Sequence, residues 1–242
     1  MRSDLAPRAR RVVVLGTVGQ ALAYDARVLL SIARTERDAS PPRGRSRNPG
    51  DQAVLDGLRR ALDAIASDQL SGTGRILDVG CGTGGWLRGL SDVVDSRRLY
   101  GVDVSAEALR VANERVPGAT LAVADARKLP FEAGEFELVL MFTVLMFVPK
   151  GRDTEQAVHE AERVLAPGGL LVIYDMRMPN PFNPSNRLIR RGEIPLPAQS
   201  KTLTLFPPLA RRLGPLTPIA YPLLENVAPL RSHRLWWYQK PT

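Results

Sequence analysis

The stretch Arg75-Ile-Leu-Asp-Val-Gly-Cys-Gly-Thr-Gly-Gly85 decides the fold. An apolar run holding one acidic residue gives way to glycines at 80, 82, 84 and 85, and a helical pattern begins near Trp86. Glycine permits a sharp turn and a close backbone approach to a ligand, and the first N–H groups of the following helix then point at that ligand. The segment therefore reads as a nucleotide-cofactor loop. Gly80, Gly82 and Gly85 satisfy the spacing G-x-G-x-x-G, and Asp103 follows Gly85 by 18 positions at the end of a second strand-like run, Leu99-Tyr-Gly-Val-Asp103. A carboxylate there accepts from two vicinal ribose hydroxyls in any adenosine cofactor, so the loop alone admits NAD.

Asp78 separates the possibilities. It sits two residues before the first glycine, at the end of a buried strand, where a charge is costly unless partnered. A pyrophosphate would be repelled by it, whereas S-adenosylmethionine (SAM) brings an ammonium and a sulfonium. Asp78-Val-Gly-Cys-Gly-Thr-Gly84 resembles the D/E-x-G-x-G-x-G motif of class I SAM-dependent methyltransferases. The resemblance runs in order from residue 75 to 175, through Asp103, Leu121-Ala-Val-Ala-Asp-Ala126, Leu129-Pro-Phe131, Phe136-Glu-Leu-Val-Leu140 and Arg163-Val-Leu-Ala-Pro-Gly-Gly-Leu-Leu-Val-Ile173. It implies a cofactor site built from Asp78, Gly80, Cys81, Gly82 and Gly84, from Asp103 with Val104 at the ribose, and from Asp125 with Ala126 at the adenine amino group. Met141, Phe142 and Met146 would line the methionine end, and the product would be S-adenosylhomocysteine.

At 242 residues, with 44% apolar and 24% charged residues, the chain has room for one α/β core with modest additions. The single cysteine, Cys81, excludes an internal disulfide and reads as a small tolerated side chain between glycines. The N-terminal run Arg10-Arg11-Val-Val-Val-Leu15 has the outline of an export signal but is interrupted by Gly16, Thr17, Gly19 and Gln20, so a soluble, cytoplasmic protein is expected. Residues 1–50 hold 10 basic and 4 acidic side chains, 51–174 hold 13 and 18, and 175–242 hold 10 and 3. Basic flanks around an acidic core fit phosphates, an anionic lipid surface or an acidic acceptor, and equally a solvated surface. With 6% aromatic residues and no nucleic-acid module, a nucleic-acid partner is disfavoured.

Residues 38–50 read as a linker that separates a basic N-terminal arm (1–50), a candidate lid, from a catalytic domain at 51–242. Apolar residues at 54, 55, 58, 62 and 65 predict a helix from Asp51 to Leu70. Strand-like runs at 75–79, 98–102, 119–124, 136–142 and 169–175, each pair spaced for a helix, predict a parallel doubly wound sheet. Lys201-Thr-Leu-Thr-Leu-Phe206 and His233-Arg-Leu-Trp-Trp-Tyr-Gln239 complete a seven-stranded, mostly parallel α/β Rossmann-like sheet with an antiparallel C-terminal strand and helices on both faces. Eleven prolines between Pro179 and Pro229 obscure regular helices, and 176–232 is expected to wall the acceptor pocket.

Methyl transfer needs alignment and exclusion of water, with a base when the acceptor is a hydroxyl. The candidates for that base are Asp175, at the end of strand five, and His233, opening the last strand; a turn or capping carboxylate is the rival reading of Asp175. Asn180-Pro-Phe-Asn183 reads as turn chemistry, and Arg187, Arg190 and Arg191 as a clamp for an anionic acceptor group or a solvated face. Two histidines without a ligand cluster give no metal site. The expected activity is SAM-dependent methylation of a small-molecule, glycan or lipid-linked acceptor, at oxygen rather than nitrogen. RNA methylation and a non-catalytic SAM-binding protein stand as alternatives, and the oligomeric state is open.

Overall fold

The computed structural model describes residues 49–179 and 187–242. The N-terminal arm, nearly all of the linker and the Asn180–Asn183 turn lie outside the described residues. Helix α1 (Pro49–Ser71) leads into β1 (Arg75–Val79), α2 (Gly85–Leu90), β2 (Leu99–Asp103), α3 (Ala106–Arg115), β3 (Thr120–Val123), β4 (Phe136–Phe142), α4 (Arg152–Val164) and β5 (Leu165–Met176). Then follow β6 (Gln199–Leu205), α5 (Pro207–Leu213), α6 (Thr217–Leu224) and β7 (Arg231–Gln239).

The seven strands form one sheet in the order β3-β2-β1-β4-β5-β7-β6. β1 to β5 pair in parallel, while β7 runs antiparallel to both β5 and β6. This is the Rossmann-like architecture expected from the sequence. The central strands read as near-continuous apolar runs because both faces are covered. Leu77, Val79, Val139 and Met141 join Ala157, Val158 and Ala161 of α4 on one side. Ile76, Leu138 and Leu140 join Leu58 and Leu62 of α1, Leu87 of α2 and Leu109 of α3 on the other.

The order reverses between β1 and β4, so the connections after these two strands diverge and leave a crevice at their carboxyl ends. The Pro-rich region holds two short helices that the sequence did not disclose. Each of α5 and α6 carries proline at its N-terminal positions, where the missing N–H costs no helical hydrogen bond.

Candidate active site

The chain leaves β1 through Gly80, Gly82 and Gly84, all at positive φ, before α2 begins at Gly85. A Cβ on Gly80, at φ +71°, would stand 2.5 Å from Cγ2 of Val144 in the loop after β4. Gly80→Ala is therefore expected to destabilise the fold by about 1–2 kcal/mol and to weaken SAM binding by displacing Val144. Thermal melts with and without SAM check both effects.

Asp103, at the end of β2, closes this loop from below. Its Oδ2 accepts from Gly82 N–H and its Oδ1 from Ser105 N–H, both at 2.9 Å. Burial pushes its pKa up, against the opposing pull of the Ser105, Gly82 and Val104 backbone donors. Asp78 is only 2% exposed, and its Oδ2 has no hydrogen-bond partner. Burial first, and then the like charge of Asp103, push Asp78 up to about 8. A buried carboxyl in that state stays protonated at neutral pH unless a cation beside it satisfies its lone pairs and relieves the repulsion. The ammonium of SAM fits that requirement; a pyrophosphate adds a further negative charge.

A cavity of about 640 Å³ opens above the glycine loop and Asp103, and Asp78, buried beneath the loop, is not among the residues lining it. Of the residues expected to hold the cofactor, Gly80, Cys81, Gly82, Asp103, Val104, Ala126 and Phe142 line it. Trp86 of α2 stands edge-on to Phe142 with ring centroids 5.0 Å apart. Thr143 also lines the cavity and holds φ +57°, an unusual conformation for a β-branched residue, with its N–H donated to Tyr174 O at 2.7 Å.

Other expected positions fall elsewhere. Gly84 packs under α3, where a Cβ would lie 2.9 Å from that of Ala112. Met141 is in the core and Met146 is buried as well. Asp125 accepts from the Arg127 backbone N–H at 2.8 Å and from the Arg127 guanidinium at 2.6 Å. Burial raises its pKa, but these Arg127 bonds outweigh burial and hold it low. Arg127 in turn bonds Asp153 of α4, so Asp125 belongs to an ion-pair cluster beside the cavity. Any adenine amino group there shares the carboxylate with Arg127.

The two base candidates lie away from the cavity. Asp175 is 0% exposed; its Oδ2 accepts from Met146 N–H at 3.1 Å and its Oδ1 from Met176 N–H at 2.8 Å. Burial pushes it up to about 7, opposed by the backbone donors of Met176, Met146 and Leu145 and by Arg187. With both oxygens committed, it fixes the turn after β4. His233 stacks on Tyr174, with centroids 4.7 Å apart and 7° between planes, and meets Ser232 Oγ through Nδ1 at 2.8 Å. Burial pushes it down to about 4, so the ring is a neutral part of the sheet. Neither is among the residues lining the cavity.

Arg187 is committed as well. It donates to the carbonyls of Leu145 and Val148, at 3.0 and 3.1 Å, and to Thr154 Oγ1 at 2.8 Å, and it pairs with Glu193. It braces the loop after β4 instead of waiting for an acceptor. The wall expected from 176–232 comes, among the described residues, from α1 and from α2 with the turn after it: Gln52, Leu55, Asp56, Arg59 and Asp63 on one side, Trp86, Arg88 and Val93 on the other. The α1 residues recur at i, i+3, i+4, i+7 and i+11, a second helical stripe beside the apolar one. That spacing was the signal for them in the sequence.

Residues 77–173 match the family described as a methyltransferase domain. A trans-aconitate 2-methyltransferase from Azoarcus is 32% identical over 169 residues, covering 64% of each chain. A demethylmenaquinone methyltransferase from Staphylococcus aureus is 38% identical over 109 residues, covering 43% of this chain and 44% of its own. The chain spans between 36% and 64% of the length of such curated relatives. A crystal structure of geranyl diphosphate C-methyltransferase from Streptomyces coelicolor shares the fold, with a TM-score of 0.57, 21% identity and 76% of each chain covered. Over residues 77–173 the chain carries a class I SAM-dependent methyltransferase domain, and the cofactor of that domain is S-adenosylmethionine.

Proposed function

We propose that the chain transfers the methyl group of SAM to a small-molecule acceptor that is apolar along most of its length and ionised at one end, at oxygen rather than nitrogen. The unpartnered oxygen of Asp78, beneath a glycine cradle that opens on a largely apolar cavity, is the observation that carries this reading. SAM, when bound, supplies a methyl group already activated by cationic sulfur.

The chain's own residues then have to hold and align. Asp78 takes the ammonium, Asp103 the ribose hydroxyls, and Gly80 and Gly82 allow the backbone to approach. Leu55, Trp86, Val93, Val144 and Phe147 exclude water from the acceptor side, while Arg59 supplies a cationic group along the same cavity, Arg88 being paired with Asp92 at 2.8 Å. An acceptor that arrives as a carboxylate or enolate needs no base, which agrees with Asp175 and His233 lying away from the cavity. The relatives named for trans-aconitate and demethylmenaquinone support an acidic or amphiphilic acceptor, a lipid-linked one included.

Release of S-adenosylhomocysteine, measured against a panel of amphiphilic carboxylic acids, isoprenoid acceptors, sugars and RNA, tests this. Turnover with the amphiphilic acids or isoprenoids is expected, with KM raised in Arg59→Ala. Methylation confined to RNA and falling steeply with salt would replace the reading with the nucleic-acid one. SAM binding without product on any acceptor would replace it with a binding protein.

A further inference from the structure

From Leu213 to Leu224 the chain has no charged side chain and three prolines, Pro215, Pro218 and Pro222. The fold buries Thr217 and Tyr221 of this stretch, yet leaves Leu216, Ile219 and Leu223 exposed at 62%, 72% and 70%, with Val227 beyond them at 42%. Positions 216, 219 and 223 recur at i, i+3 and i+7, so on and beside α6 they form one face and not a scatter. Pro215, Pro218 and Pro222 are exposed among them. A contiguous apolar face of this kind marks a docking surface.

Charge decides what docks. Arg211 and Arg212 stand in the last turn of α5, immediately before the patch, and Arg231 follows it. The segment 175–242 holds 10 basic residues against 3 acidic, and the whole chain is +8. A second copy would bring the same basic rim to the contact. The preceding arm, with 10 basic and 4 acidic residues in 1–48, carries the same sign. An anionic lipid surface supplies both an apolar phase for the leucine and isoleucine side chains and the opposite charge for the arginines.

We propose that the protein docks reversibly on anionic lipid surfaces through the Leu216, Ile219, Leu223 and Val227 face. Among the described residues no helix is long and apolar enough to cross a membrane, so the contact is interfacial. Gln52 and Asp56 of α1 line both the shallow groove beside α6 and the main cavity, so docking sets the acceptor wall next to the lipid contact. Docking itself does not depend on which acceptor is methylated.

Cosedimentation of the full chain with phosphatidylcholine vesicles, and with equimolar phosphatidylcholine and phosphatidylglycerol vesicles, tests the proposal. The wild-type chain is expected to pellet with the anionic vesicles and much less with the neutral ones. The double variant Ile219→Asp, Leu223→Asp alters only exposed side chains, so its melting temperature and SAM affinity should stay unchanged. Its vesicle affinity should fall on the order of a hundredfold. Equal binding by variant and wild type, binding to neither vesicle, or a wild-type dimer that the variant dissolves would each overturn the proposal.

Discussion

Asp78→Asn is expected to lower SAM affinity on the order of a hundredfold or more. Removing one member of a buried ion pair costs about 3–5 kcal/mol, and every 1.4 kcal/mol is tenfold in binding. The same substitution should stabilise the ligand-free protein at alkaline pH. The folded-state pKa of Asp78 is about 8, raised by burial and by Asp103. Above the ordinary carboxylate range the unfolded chain has lost this proton while the folded chain keeps it. The folded state therefore holds more protons, and ligand-free stability falls as pH climbs from about 4, levelling off above about 8. SAM reverses that slope, since its ammonium favours the ionised carboxylate. Melting curves between acid and mildly alkaline pH should show a SAM-induced stabilisation that grows with pH in the wild type, with this contribution lost in Asp78→Asn.

Arg187→Leu should cost about 2–4 kcal/mol of stability and most of the activity at ordinary temperatures. The substitution removes one donor each from the Glu193 carboxylate, Thr154 Oγ1 and the Leu145 and Val148 carbonyls, of which Glu193 keeps Arg190 N–H and Leu145 keeps Val148 N–H. Val144, Phe147 and Val148 line the cavity from the loop that Arg187 braces, so the lost order reaches the acceptor side directly. Denaturant unfolding gives the stability, and KM for the acceptor should rise more than the dissociation constant of SAM. If Arg187 instead clamped an anionic acceptor, Arg187→Leu would unfold like the wild type while losing acceptor binding. The bonds that hold it argue against that outcome.

The two halves of the reaction were unequally legible in the sequence. The cofactor half lies in short segments where local chemistry is explicit: an apolar strand, Asp78, a glycine turn, and Asp103 at the end of the next strand. β1 to β5 were equally plain, because strands buried on both faces must be apolar throughout. The acceptor half depends on contacts between distant segments. Nothing local to Asp175 says that the turn after β4 folds back to give it the N–H of Met146. Nothing local to Arg187 says that carbonyls at 145 and 148 are waiting for it. The stripe Gln52, Leu55, Asp56 and Arg59 was visible as a periodicity, but it is polar enough to read as a solvated face until α2 is placed opposite. α5 and α6 were masked by their prolines, which are tolerated at the first turn, as at Pro207 and Pro218, while α6 also holds Pro222 in its interior.

The claim that Asp78 receives the cationic end of the cofactor is tested most directly by a double comparison in titration calorimetry. SAM and 5′-methylthioadenosine, which keeps the adenosine and lacks the amino-acid end, are each titrated into the wild type and into Asp78→Asn. The account predicts that the variant loses on the order of a hundredfold in SAM affinity while its affinity for methylthioadenosine is nearly unchanged. Parallel losses for both ligands, or no loss for either, would contradict it.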